Sequence, residues 1–273
     1  MIVSRKFMSG NEKIAGYFLE LASEQRLDIL SELLKKPNRV NVIAKKLRVT
    51  PQEVHRNLDR LNHAGMVAKG LEDHYRITSV GKIMLSQMSL VSFLSKNKTF
   101  FDTHDLNDVP TKFTKRLGVL EECKHIKGVT AVLEKWRTIY SESEKYVCDI
   151  LSESPPETIT PLLKRIAKGV EYRHVISKQF LEPAGRNQML EKMGYYKFIE
   201  GKKIQRRETK SVSVILIMNE KEGGIIFSTS SDEPDLRSMF YGKSAGFHEW
   251  CHDYFEYIWK KSKKIPNQRI NKK

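Results

Sequence analysis

Apolar residues recur at three- and four-residue steps near the start of the chain. Ile14, Phe18, Leu21, Leu27, Leu30, Leu33 and Leu34 predict a helix over residues 11–35, stopped at Pro37-Asn38. A shorter helix is predicted over 40–47, followed by a turn at Arg48-Val49-Thr50. The next helix carries a strong start signal. Thr50 is placed to cap it, Pro51 sits at its first position, and Glu53 completes a capping box. Val54, Leu58 and Leu61 then share one face, and Gly65 ends the helix. Residues 66–68 and 75–78 are short strand candidates, and the polar segment 69–74 joins them as a hairpin. A further helix is predicted over 79–95, opened by Ser79. Its apolar residues run nearly all the way round, which predicts burial at an interface. The stripe Met84, Met88 and Val91 is the expected dimer contact.

The second part of the chain has a different pattern. Residues 96–128 are mixed and are expected to connect the halves. A helix over 129–144 is followed by a buried strand at 146–151. A helix capped by Thr160, with Pro161 at its first position, is followed by a strand at 170–177. Strand, helix and strand imply parallel pairing with a right-handed crossover. A short helix at 188–193 closes at Gly194. Strands at 212–218 and 224–230 flank a turn, and a last helix spans 244–260. The expected class is mixed α+β and α/β. Its domains are a winged helix-turn-helix over 1–78, a dimerisation or linker helix over 79–95, and an α/β regulatory domain over 96–273.

Charge adds a partner to this picture. The 273 residues carry a formal charge of +15. Residues 1–94 hold +6 of it and residues 260–273 hold +7, so a nearly neutral middle lies between two basic regions. A polyanion, nucleic acid first, is the partner such a balance favours. Three cysteines cannot build a disulfide framework, and no signal peptide or long apolar run is visible. The expected location is the cytoplasm, with no membrane contact.

The residues that would touch DNA follow from the helical phase. Opposite Val54, Leu58 and Leu61 lie Gln52, Arg56, Asp59 and His63, flanked by His55 and Arg60. Gln and Arg side chains make bidentate contacts to adenine and guanine edges in the major groove. Lys45, Lys46, Arg48 and Thr50 stand at the entry to this helix, where phosphates position a reader without being read. Lys69, His74 and Arg76 lie on the wing.

The stretch NVIAKKLRVTPQEVHRNLDRLNHAGMVAKG resembles the winged helix of ArsR- and TrmB-like archaeal transcription regulators. Ala44 and the run Leu58, Leu61, Ala64, Gly65, Val67 carry that likeness. The stretches FFDTHDLNDVPTKFTKRLG, GGIIFSTSSDEPDL and FHEWCHDYFEYIW are similar to the domain that follows it in archaeal regulators of methanogenesis and filament formation. The resemblance implies a DNA-binding transcription factor, often dimeric, with a C-terminal sensor or regulatory domain. That domain is expected to sense an effector, a small molecule among the candidates, or to mediate assembly.

Several chemical signals are incomplete. His248-Glu249-Trp250-Cys251-His252 fits H-E-x-x-H, but no downstream third ligand follows, and the helical phase turns both histidines and Glu249 to solvent. His125-Ile126-Lys127 begins like the signature of phospholipase D-type phosphodiesterases, yet Val132 stands where the aspartate is required. Lys202, Lys203, Arg206, Arg207 and Lys210 form a basic run expected to be a solvated loop before a strand. Cys123 and Cys148 carry no mark of a lowered thiol pKa. The chain is therefore expected to have no catalytic residues, no metal site and no cofactor, and not to be an enzyme. The competing readings are an α/β phosphodiesterase-like enzyme and a protein- or RNA-binding module built on the winged helix.

Overall fold

The amphipathic run over 11–35 folds as two helices instead of one, α1 (Gly10–Leu21) and α2 (Glu24–Lys35). Ser23 takes extended backbone between them, with φ −132° and ψ 119°. Serine suits the entry to a helix better than its interior, which is why apolar spacing alone ran through the break. The computed structural model describes residues 10–106, 108–153, 155–178, 186–231 and 233–265. Two compact units divide it, one ending at Ser89 and the other beginning at Leu90.

In the first unit α2 leads to β1 (Asn38–Arg39), α3 (Val40–Leu47) and α4 (Pro51–His63). The strands β2 (Val67–Lys69) and β3 (His74–Ile77) form an antiparallel hairpin. The strand β1 pairs with β3, giving the order β1-β3-β2. Ile29, Leu30, Ile43, Val54, Leu58 and Leu61 are completely buried at the centre. Three helices packed on this small sheet make a winged helix-turn-helix.

The helix expected over 79–95 is also two, α5 (Ser79–Ser86) and α6 (Met88–Lys96). Its cap is Thr78, one residue earlier than expected. The Thr78 hydroxyl accepts a hydrogen bond from the Gly81 amide at 3.1 Å. A Cβ at Gly81 would lie 2.2 Å from the Met66 carbonyl oxygen, so only glycine lets α5 pass this close to the chain entering β2.

In the second unit the expected connector is part of the core. It holds α7 (Lys98–Phe101), α8 (Thr111–Thr114), a 3-10 turn (Leu117–Glu122) and β4 (Lys124–Lys127). Phe100, Val109, Phe113, Leu117 and Leu120 are buried there. The chain continues through α9 (Val129–Ser141), β5 (Tyr146–Leu151), α10 (Pro156–Ala167) and β6 (Glu171–Ser177). Next come α11 (Arg186–Lys192), α12 (Tyr195–Glu200), β7 (Ile204–Thr209), β8 (Val214–Asn219) and β9 (Gly223–Phe227). It ends on β10 (Ser238–Gly242), α13 (Ala245–Lys261) and β11 (Lys263–Lys264). The helix α10 begins a turn before Thr160, and Pro161 lies inside it. A proline this near a helix start removes few bonds, so its position marked the start only loosely.

These strands make one mixed sheet of eight, in the order β11-β7-β6-β5-β8-β9-β10-β4. The pairs β5–β6 and β6–β7 are parallel, and the remaining pairs are antiparallel. Helices cover both faces. Ile150, Leu216, Met218 and Phe240 face α13, while Val147, Leu151, Ile215 and Ile217 face α9 and α10. Burial on both faces explains the unbroken apolar run of β8. One buried polar cluster interrupts the second face. Asp149 accepts hydrogen bonds from Tyr140 Oη at 2.5 Å and Tyr172 Oη at 2.8 Å, and His174 Nδ1 bonds its other oxygen. Burial pushes both phenols well above their ordinary pKa.

In the basic run ahead of β8, Arg206 and Arg207 lie in the paired strand β7, while Lys202, Lys203 and Lys210 lie in the loops at its ends. Arg207 stacks on Trp259 at 4.5 Å and donates from Nη1 to its carbonyl oxygen at 2.6 Å, so it holds α13 in place. The basic tail from residue 266 onward lies outside the described residues.

Candidate nucleic-acid interface

The helix α4 is fixed at its start and along its length. The Thr50 hydroxyl accepts from the Glu53 amide at 3.3 Å, and the Glu53 carboxylate accepts from the Thr50 amide at 2.9 Å. That closed capping box holds the Glu53 carboxyl below its usual range. Arg48 enters it in left-handed backbone, with φ 57°, and remains exposed.

A polar network that the pattern of apolar residues did not show ties α4 to α1 and α2. The buried Arg26 donates from Nη2 to the Leu19 carbonyl at 2.8 Å and from Nε to the Glu20 carbonyl at 2.7 Å. Its Nη1 reaches Asn57 Oδ1 on α4 at 3.4 Å. Asn57 donates in turn to Gln25 and to the Glu53 carbonyl. Arg60 grips Glu20 through two hydrogen bonds, of 2.8 and 3.0 Å. The Arg60 bonds hold the Glu20 carboxyl below its ordinary pKa against the opposing effect of burial. The signal in the sequence was there as polar residues, Arg26 and Asn57, at core-facing positions of two helices.

These bonds sort the expected DNA-contacting residues into two groups. Gln52, His55 and Arg56 are exposed on α4. Arg56, Lys45, Arg48 and Arg76 are in no ion pair among the described residues. Several of the others are engaged within the protein. His55 Nδ1 lies 3.0 Å from Asp59 Oδ2, Lys46 is bonded to Glu32 at 2.6 Å, and Lys69 to Asp73 at 2.8 Å. Arg60 is held by Glu20, His74 is half-buried on β3, and Thr50 is committed to its cap. The wing tip is less basic than its flanks. Glu72 and Asp73 sit there in left-handed backbone, and Arg39 bridges to Glu72 at 3.0 Å. Leu71 beside them is 91% exposed.

The expected dimer stripe is divided. Met84 and Met88 pack against the core of the first unit, and Val91 is exposed. Exposed apolar surface also lies on α1, at Ile14, Tyr17, Phe18 and Leu19, and on α5 at Ile83.

The incomplete motifs resolve into structural roles. His248 does not face solvent as expected. It is half-buried, and its Nε2 donates to the Asn219 carbonyl oxygen at 2.8 Å, because α13 lies against the end of β8. Arg116 bonds Asp253 at 2.6 Å and lies 3.7 Å from Glu249. No group of three His, Cys, Asp or Glu among the described residues is arranged to hold a metal ion. His248→Ala combined with His252→Ala is expected to leave zinc at background after dialysis. The lost His248 bond should lower the stability of the second unit by about 0.5–1.5 kcal/mol. Stoichiometric zinc that survives dialysis and disappears in the double variant would contradict this. His125 Nε2 and Ser238 Oγ lie 2.7 Å apart, and the His125 ring stacks on Phe240. Val132 is completely buried. Burial pushes the Cys123 and Cys148 thiols up to about 12, far from a reactive thiolate.

No protein-family model and no curated protein matches the chain. Among solved structures, it is similar to TrmBL2, an archaeal chromatin protein whose structure shows a novel mode of DNA binding. The identity is 11%, the match covers 93% of this chain and 100% of that one, and the TM-score is 0.42. It is also similar to Nuc, a phospholipase D family member from Salmonella typhimurium, at 11% identity over 53% of this chain and 99% of that one, with a TM-score of 0.39. A dimethyltransferase, RosA from Streptomyces davawensis, matches at 11% identity over 74% of this chain and 67% of that one, with a TM-score of 0.26. Further matches are methyltransferases, among them structures solved with S-adenosyl-L-homocysteine. These matches correct the expectation that the chain is not an enzyme, and that expectation is dropped. At such identities and TM-scores no activity, ligand or partner passes from these proteins to this one. No helix among the described residues is long and apolar enough to cross a membrane.

Proposed function

We propose that the chain is a sequence-specific DNA-binding transcription regulator of the winged-helix kind. The observation that carries this reading is the outer face of α4. It presents Gln52, His55 and Arg56 to solvent, while the capping box and the Arg26–Asn57 and Glu20–Arg60 bonds fix the helix behind them. Side chains on a rigid helix are what base readout requires. Lys45, Arg48 and Arg76, in no ion pair among the described residues, serve phosphate. The boundaries proposed for this reader are residues 1–78, with 79–95 as the linking segment and 96–273 as the regulatory domain. The protein works in the cytoplasm. Selection of genomic fragments by the purified chain tests the reading: enriched fragments should outcompete scrambled ones of equal length and composition. Equal competition would contradict it.

The regulator acts as a homodimer. An effector favouring one dimer geometry would shift operator affinity by its differential affinity for the two states. The apolar stripe Ile14, Tyr17 and Phe18 continues at helical spacing into the buried Leu21, yet Ile14 is 54% and Phe18 57% exposed. A second copy would cover such a stripe. Substituting Met84 or Met88, by contrast, would disturb the protomer's own core. Ile14→Glu with Phe18→Glu is expected to give a folded monomer in sedimentation at micromolar concentration, with much weaker operator binding. A monomeric wild type that binds its operator tightly would contradict the dimer.

A further inference from the structure

A groove opens on the outer side of α9 and α10 in the second unit, with a volume of about 570 Å³. It is lined by Arg137 and Ser141 of α9, by Thr160, Pro161, Lys164 and Arg165 of α10, and by Lys168 just past its end. Four of these seven residues are cations, and none is acidic. The α10 residues 161, 164 and 165 form one stripe at helical spacing that Lys168 extends at the cap, beside the core stripe of Ile159, Leu162, Leu163 and Ile166. The α9 residues 137 and 141 are one turn apart, so both walls present a full turn of polar chain.

Cations in the last turn of a helix suit its dipole, and that alone would account for Lys164, Arg165 and Lys168. It does not account for Arg137, which projects from the other helix. Nor does it account for Arg165 Nε, which is buried without a hydrogen-bond partner among the described residues. A buried donor of this kind is costly unless an acceptor arrives. None of the four cations is in an ion pair among the described residues, so the groove gathers positive charge that no described carboxylate pairs.

We propose that this groove is a binding site for a phosphorylated small molecule. Guanidinium and ammonium donors on two walls match the several oxygens of a phosphate chain, and the Thr160 hydroxyl adds a donor. The volume falls in the small-molecule range, in a groove open to solvent. The site stands apart from the DNA-binding reading, because it lies wholly in the second unit and is measured without DNA.

The experiment is calorimetric titration of the full chain with inorganic tripolyphosphate at moderate ionic strength. Saturable binding at one equivalent per chain is expected. Arg137→Ala with Lys168→Ala should weaken it by about tenfold or more, as the loss of two charge-assisted contacts does. Lys164→Ala alone provides a milder second variant. Lys115→Ala with Lys124→Ala removes the same charge from the same unit outside the groove, and should change little. Thermal melting of each variant checks that it folds. Absence of saturable binding, retention of it in both groove variants, or equal loss in the control variant would each overturn the proposal. So would a groove variant that leaves tripolyphosphate binding intact but weakens duplex DNA and lowers its salt dependence, since the groove would then be a DNA contact.

Discussion

Leu58→Ala is expected to lower the stability of the winged unit by about 2–5 kcal/mol, the range for truncating a fully buried leucine in a packed core. Leu58 is completely buried between Val54 and Leu61 on the inner face of α4. The substitution removes packing on the inner face of the helix while the bonds of the neighbouring Asn57 keep the helix in place. The resulting cavity has little freedom to collapse. Since this helix is also the proposed reader, duplex binding should fall with stability. The second unit has its own core on both faces of an eight-stranded sheet, so its melting transition should stay in place. Denaturant melting followed by a probe in each unit makes the comparison. An unchanged first transition would contradict the placement of Leu58, and a joint shift of both would contradict independent folding.

Arg56→Ala is expected to act on binding instead. Its guanidinium is exposed, free of ion pairs among the described residues, and on the outer face of α4. Loss of one bidentate base contact should weaken binding to a selected site by about 1–3 kcal/mol and relax preference at one base pair. Stability should barely move. Arg60→Ala provides the contrast. That residue is bonded to Glu20 on α1, so its loss should loosen the helix without altering the base preference. Equal weakening of selected and scrambled sites by Arg56→Ala would make this residue a phosphate contact and contradict base readout.

What the sequence made legible was local. The capping box at Thr50 and Glu53, the length of α3 and the strand β5 all follow from short-range chemistry, and they stand where that chemistry predicts. The fold of the first unit followed from the spacing of Val54, Leu58 and Leu61 together with the hairpin. Breaks inside long apolar runs were not legible, since Ser23 and Gln87 leave the helical spacing intact on either side. Partners far apart in the chain were not legible either. Arg60 has the same phase as a DNA-facing residue, and only its meeting with Glu20, forty positions earlier, removes it from that role. The segment over 96–128 looked like a connector because its elements are too short for periodicity. Its buried phenylalanines are defined by packing against α13 and the sheet. The groove between α9 and α10 needed two helices brought side by side, and no stretch of sequence contains it.

The central claim is that α4 reads a specific duplex sequence. Hydroxyl-radical footprinting of the wild-type chain on a fragment enriched from genomic DNA tests it most directly. Protection is expected to be confined to two half-sites about one helical turn apart, and Arg56→Ala to protect fragments changed at one base pair of each half-site as well as the original. Protection spread evenly along the fragment, unchanged when its sequence is scrambled, would contradict it.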